Sequence, residues 1–129
     1  MDLEITVQES KAGRFTVFPQ GRIDSETYVR FNKKIQPLVG KKTKNVLIDM
    51  GRVNYISSAG LGAIFNLMKR LKENGSELLL CNLQPQIKKV FDMIKALPPA
   101  SIFASAEEAD QYLGHVMERG ARGGKGGKG

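Results

Sequence analysis

The segment at residues 46–62 constrains the fold of this 129-residue chain more than any other. Residues 46–50 are almost entirely apolar, as expected for a strand buried inside a sheet. A short polar turn follows and contains Ser57 and Ser58. The turn leads into small residues and then into apolar residues at helical spacing. This order of strand, turn and helix predicts an α/β domain.

Ser57 and Ser58 stand at the predicted N-terminus of that helix, where the first backbone N–H groups have no helical partner. These donors and the helix dipole favour a negative charge, so a serine at this point is suited to a phosphorylation switch. The alternative interpretation is an N-cap, because serine is among the residues preferred there. The local pattern by itself favours the N-cap.

The other segments predict a mixed sheet with helices packed on it. Residues 3–7 alternate as a half-buried strand does, and a second strand is predicted at residues 15–18. Pro19 predicts that this second strand ends there or lies at an edge. Asp24 or Ser25 is expected to cap the first helix. Further strands are predicted at 78–81 and 102–103, with one helix opened by Pro85 and a last one capped by Ser105.

The composition predicts a single soluble domain with a basic tail. The net charge is +7, but residues 1–118 hold 16 basic and 13 acidic side chains. The rest of the excess lies on Arg119, Arg122, Lys125 and Lys128. A domain at residues 1–117 and a disordered tail rich in Gly, Lys and Arg at 118–129 are therefore expected. The tail has no aromatic residue for base stacking, so no specific nucleic-acid binding is predicted.

Few residues of this chain are suited to catalysis. The single histidine, His115, and the single cysteine, Cys81, cannot supply the spacing of a zinc site, and no glycine-rich nucleotide loop stands between a strand and a helix. We therefore expect no enzyme activity, no cofactor and no metal. The chain has no apolar run long enough to insert into a membrane and no leader pattern, which predicts a cytoplasmic protein.

Three segments together resemble one family. They are residues 55–62 (Tyr-Ile-Ser-Ser-Ala-Gly-Leu-Gly), residues 21–27 (Gly-Arg-Ile-Asp-Ser-Glu-Thr) and residues 90–93 (Val-Phe-Asp-Met). Their order and spacing resemble the STAS domain of bacterial anti-sigma factor antagonists. The resemblance covers roughly residues 1–117. It implies a small curved mixed sheet of about five strands with about four helices.

The resemblance also implies a function and a site. Ser58 corresponds to the phosphorylated residue of the family, with Ser57 as the alternate. An anti-sigma factor serine kinase would bind the unphosphorylated domain and phosphorylate it, and a serine phosphatase would reverse this. The implied partner-binding residues are Asp24, Ser57, Ser58, Ala59, Gly60 and Leu61.

This chain departs from the family pattern at two positions. Ser57 stands where the best-known members have Asp, and Ala59 stands where they commonly have Ser or Thr.

Two alternative functions are considered. One alternative is an unphosphorylated STAS subunit that binds the ATPase of an ABC-type lipid transporter. Another is a protein that binds nucleic acid through its tail.

Overall fold

The computed structural model describes residues 3–95 and 101–114. The first half of the chain forms β1 (Leu3–Lys11), β2 (Arg14–Ile23), α1 (Tyr28–Ile35), β3 (Asn45–Asp49) and β4 (Arg52–Ile56). The second half forms α2 (Ser58–Glu73), β5 (Glu77–Cys81), α3 (Pro85–Ile94), β6 (Ile102–Phe103) and α4, described over residues 106–114. A short 3₁₀ turn, Gln36–Leu38, extends α1.

The six strands found among residues 3–95 and 101–114 form one mixed sheet in the order β1-β2-β3-β5-β6, with β4 also paired to β2. The β1–β2 hairpin is antiparallel, and every other pair is parallel. This confirms the predicted α/β class and the mixed sheet. The sheet has one strand more than the resemblance implied, because residues 52–56 form a strand of their own.

β2 pairs with two different strands along the same edge. Arg14–Val17 pair with β3, and Gln20–Ile23 pair with β4. The prediction that this strand ends at Pro19 or lies at an edge was wrong. Pro19 lies between the two partners, where no β2 residue pairs with either β3 or β4. The missing N–H therefore interrupts neither of these two ladders.

Both faces of the sheet are covered, by different helices. The larger apolar cluster lies between the sheet and α1, α2 and α3, and includes Val17, Ile48 and Phe31. On the other face, Leu47 and Leu79 pack with the α4 residues Ala109 and Leu113. The central strands β3 and β5 are therefore buried on both sides.

Two predicted helix starts can be compared with the structure. α1 begins at Tyr28 with Thr27 at its N-cap position, but Thr27 makes no side-chain cap bond. Asp24 has the predicted capping role one turn earlier, because its Oδ1 accepts from the Glu26 and Thr27 N–H groups and its carbonyl oxygen accepts from the Tyr28 N–H. α4 has the predicted cap, because the Glu108 backbone N–H donates to Ser105 Oγ at 3.2 Å. The boundary predicted between residues 117 and 118, the tail and His115 lie outside the described residues.

Candidate functional site

Ser57 is the N-cap of α2. Its backbone is extended, and its Oγ accepts a hydrogen bond from the Gly60 N–H at 3.2 Å. The Ser57 N–H in turn donates to the Ile23 carbonyl oxygen at 2.8 Å, which attaches the turn to the end of β2. Half-buried and bonded in this way, the Ser57 hydroxyl has a structural role.

Ser58 is the first residue of α2 and is exposed to solvent. The first turn of a helix presents backbone N–H groups without helical partners, together with the positive end of the dipole. An anionic group on the Ser58 hydroxyl would therefore lie in a favourable electrostatic environment. The sequence singled out both serines, and the structure places them in different environments, Ser57 bonded within the turn and Ser58 exposed.

The residues after Ser58 turn inward. Ala59 is half-buried, whereas Gly60 is buried and Leu61 is only 8% exposed. A Cβ atom at Gly60 would lie 2.7 Å from Ile23 Cγ2 and 2.9 Å from the Ile23 carbonyl oxygen. At Gly60, therefore, the backbone of α2 lies too close to β2 to leave room for a Cβ atom.

Asp24 organises the turn between β2 and α1. Its Oδ1 accepts hydrogen bonds from the Thr27 N–H at 2.9 Å and the Glu26 N–H at 3.0 Å. The Thr27 hydroxyl donates to the Arg22 carbonyl oxygen at 2.7 Å and closes the turn. The hydrogen bonds from the Thr27 and Glu26 N–H groups hold the pKa of the Asp24 carboxyl below its ordinary value.

The two turns adjoin through their strands. Ile23 lies next to Asp24, and its carbonyl oxygen accepts from the Ser57 N–H, so the predicted residues Asp24, Ser57 and Ser58 belong to one end of the sheet. Two further residues belong to this surface. The Arg22 guanidinium lies 4.3 Å from the centre of the Tyr55 ring, and Tyr55 is 42% exposed.

Sequence reasoning had not singled out Arg22 and Tyr55 individually, although both lie within the segments that resemble the family. The signal that brings them together is the register of β2 against β4, in which Arg22 is the partner of Tyr55. That register follows from the pairing of two distant strands. No local pattern in the sequence contains it.

The third segment of the resemblance lies on α3 and is divided between core and surface. Phe91 is buried and packs edge-on against Phe65 of α2, whereas Met93 is 81% exposed. Asp92 is exposed and pairs with Lys88 one turn earlier at 3.0 Å. This segment therefore contributes to the core through Phe91 and to the surface through Asp92 and Met93.

A separate groove opens where β3 and β4 diverge along β2. It is lined by Thr6, Gln8, Phe18, Pro19, Gln20, Asp49 and Arg52. None of the predicted site residues contributes to it. Among residues 3–95 and 101–114 there is no group of three or more His, Cys, Asp or Glu residues placed to hold a metal ion. Within the same ranges, no helix has the length and apolar character needed to cross a membrane.

A family model and named relatives of this chain indicate the same family. Residues 4–109 match the family model described as the STAS domain. A Bordetella bronchiseptica protein named as an anti-sigma factor antagonist, BtrV, is 33% identical over 90 residues, which are 70% of this chain and 78% of that protein. The anti-sigma-B factor antagonist of Listeria monocytogenes is 27% identical over 93 residues, 72% of this chain and 82% of that protein.

Two solved structures agree with these matches in fold. The anti-sigma factor antagonist SpoIIAA in its unphosphorylated form superposes with a TM-score of 0.74 at 18% identity, over 85% of this chain and 96% of that one. The Bacillus SpoIIAA structure in the phosphorylated form gives a TM-score of 0.70 at 18% identity, over 85% of this chain and 99% of that one. The family model matches most of this chain, and one relative is more than 30% identical to it. The chain therefore belongs to the STAS domain family.

Proposed function

We propose that this protein is a cytoplasmic anti-sigma factor antagonist that works as a phosphorylation-controlled binding module. In its unphosphorylated form it binds an anti-sigma factor serine kinase, and phosphorylation of Ser58 by that kinase ends the complex. A serine phosphatase restores the binding form. The names of the Bordetella and Listeria relatives support this assignment.

The observation that carries the proposal is the difference between the two serines. Ser57 Oγ is bonded to the Gly60 N–H inside the turn, whereas Ser58 is exposed at the first position of α2. A kinase can therefore reach the Ser58 hydroxyl without unwinding the helix. Ser57 stands at the position that is Asp in the best-known members of the family, and both side chains can cap a helix.

Phosphorylation at Ser58 would act on binding and leave the fold intact. A phosphate adds about −1.5 to −2 charges at neutral pH, which the N-terminus of α2 stabilises. A partner docked on the same turn would have to desolvate that charge or place a cation against it. The Asp24 carboxylate at the same end of the sheet is paired with the Arg22 guanidinium at 3.4 Å, so it adds little to the negative charge.

The proposed partner surface combines exposed contacts with buried support. Asp24, Ser58 and Ala59 provide accessible atoms, and Arg22 and Tyr55 extend the surface along β2 and β4. Ser57, Gly60 and Leu61 support it by fixing the course of the backbone.

Mass spectrometry of the protein purified from its native host tests the proposal directly. We expect a phosphate on Ser58 and co-purification of a serine kinase. With that kinase in hand, Ser58→Ala should bind as tightly as the parent, and Ser58→Glu should bind at least about tenfold more weakly, as expected for an unpaired charge in an interface.

Ser57→Ala is the matched control. It removes the cap and should lower the free energy of unfolding by about 1 kcal/mol in urea denaturation, while Ser58 stays phosphorylated. Equal affinity of Ser58→Glu and parent would refute the switch. A phosphate found on Ser57 and not on Ser58 would identify Ser57 as the phosphorylated residue. Co-purification with an ABC-type ATPase and no phosphate would favour a constitutive subunit.

A further inference from the structure

A second surface lies at the end of the sheet opposite Ser58. The basic pole, as we call it, consists of six exposed cations: Lys11, Lys41, Lys42, Lys44, Arg70 and Lys72. Lys11 closes β1, the three lysines at 41–44 lie in the loop before β3, and the other two lie in the last turn of α2. The 16 residues of α2 put about 24 Å between Ser58 and this pole.

Hydrogen bonds join the three segments of the basic pole into one surface. The Lys44 N–H donates to the Gly13 carbonyl oxygen at 2.8 Å, which ties the loop to the β1–β2 hairpin. Asn74 Nδ2 donates to the Gly40 carbonyl oxygen at 2.7 Å, and Ser76 Oγ donates to the Thr43 carbonyl oxygen at 2.7 Å. The lysines of this loop are therefore carried on backbone anchored at both sides.

The positive charge of the basic pole is only partly offset by nearby carboxylates. Within residues 3–95 and 101–114, none of the six cations forms an ion pair. Three exposed carboxylates, Glu9, Glu73 and Glu77, lie at the same end, and Asp110 is paired with Arg14. Six cations against three carboxylates leave the pole with an excess of positive charge facing solvent.

α4 leads the chain to the same end of the molecule. Asp110 contacts Arg14 at the start of β2 at 2.9 Å, and Tyr112 Oη lies 3.0 Å from Glu77 Oε2 at the start of β5. The last described turn of α4 therefore lies beside the basic pole. The sequence after residue 114 contains four more cations, Arg119, Arg122, Lys125 and Lys128, and one carboxylate side chain, Glu118.

We propose that the basic pole docks this protein peripherally on an anionic phospholipid surface. Each lysine or arginine near such a surface contributes to the attraction independently. Cations spread over several segments therefore fit an extended anionic surface better than they fit a binding site for a single headgroup. Five of the six cations are lysines, whereas phosphate recognition in nucleic acids favours the bidentate fork of arginine. The segments that carry these cations, residues 11, 41–44 and 70–72, contain no aromatic residue, so they lack the base-stacking groups typical of single-strand binders.

Docking at this pole leaves the Ser58 turn facing away from the lipid. About 24 Å is roughly three Debye lengths at physiological ionic strength, so a phosphate on Ser58 has little effect on the field at the pole. Lipid docking and the phosphorylation switch can therefore succeed or fail separately, and Ser58→Glu should bind vesicles as the parent does.

Vesicle flotation of the full chain tests lipid docking. The parent should bind phosphatidylcholine vesicles containing about one third phosphatidylglycerol, lose them as salt rises, and ignore vesicles of phosphatidylcholine alone. Lys41→Gln with Lys42→Gln should weaken binding about 25-fold, at about fivefold per cation. Both side chains are exposed, and circular dichroism should confirm that the variant is folded.

Lys88→Gln with Lys89→Gln on α3 is the control with the same change in net charge, and it should alter vesicle affinity by no more than about twofold. An equal loss in the two double variants would refute the basic pole as the docking surface. Absence of parent binding to anionic vesicles would do the same. Tighter binding to duplex DNA than to anionic vesicles, weakened by the same two substitutions, would assign the pole to nucleic acid instead.

Discussion

Gly60 shows how one residue sets the position of the candidate site. It lies where α2 crosses β2 and β4, and a Cβ atom there would meet Ile23 at 2.7 Å and Ile56 Cγ1 at 2.9 Å. Both neighbours are core residues that cannot move freely. Because Gly60 has no Cβ atom, the N-terminus of α2 can approach β2, the strand that leads into the Asp24 turn.

Gly60→Ala should therefore destabilise the domain. We expect a loss of about 1–3 kcal/mol in the free energy of unfolding, as for overpacked cores, measured by urea denaturation. Gly62→Ala is the matched control, because a Cβ atom at Gly62 meets nothing within 4 Å. It should stabilise the helix by up to about 1 kcal/mol. Similar effects of the two substitutions would contradict the close approach at Gly60.

Cys81 is a core residue at the end of β5. It is fully buried, and burial, with smaller contributions from Asp49 and Asp110, raises the pKa of its thiol to about 12. The thiolate is the reactive form, so the native protein should not react with iodoacetamide at pH 8, whereas urea-unfolded protein should react fully. Rapid labelling of the folded protein, followed by mass spectrometry, would show that the thiol is accessible.

At the scale of elements, the junction between β2 and α1 depends on an ionised carboxylate. Asp24 accepts from the backbone of Glu26 and Thr27, and its pKa is lowered by these bonds. A lowered pKa means that the folded state favours the charged form. The stabilisation is therefore present above the ordinary value of 3.8 and is lost as the pH falls through the lowered pKa.

Carboxyl-carbon NMR titration should accordingly place the pKa of Asp24 below 3.8. In urea denaturation, Asp24→Asn should be less stable than the parent at neutral pH, and the difference should shrink at acid pH as the parent carboxyl is protonated. A titration midpoint at or above the ordinary value, or a stability difference that does not depend on pH, would contradict the hydrogen bonding described for this turn.

Local patterns predicted several elements and missed others. The buried strand at 45–49, the inner face of α2 and the Ser105 cap all depend on neighbours within one or two turns, which a sequence pattern contains. The extension of β2 past Pro19 and the separate strand β4 depend on a partner strand some 30 residues away. Pro19 misled the prediction because its place between two partners is a property of the whole sheet.

At the scale of the whole molecule, burial of the sheet is graded from centre to edge. β3 and β5 are covered on one face by the larger cluster and on the other by α4. β1 lies at an edge, and most of its residues beyond Leu3 are exposed or half-buried. The backbone amides in the centre of the sheet should therefore become exposed only through global unfolding, whereas those at the edge can become exposed through local opening.

Native-state hydrogen exchange should reveal this gradient. We expect the amides of β3 and β5 to exchange slowest, with free energies of opening close to that of global unfolding. Those in the outer half of β1 should exchange through local opening of lower free energy. Equal protection in β1 and β5 would mean that a further contact covers the edge strand.

The sequence by itself determined the class of fold, the buried central strands, the helix that begins after Ser57 and the family resemblance, because hydrogen bonding and side-chain periodicity within a segment are local. Only the tertiary structure decided which serine caps the helix and which is exposed, because Ser57 is fixed by Ile23 of a distant strand. It also decided that Arg22 meets Tyr55 and that the basic segments share the end opposite Ser58. These arrangements follow from strand register and from the direction of each helix across the sheet, which are set by packing of the whole chain.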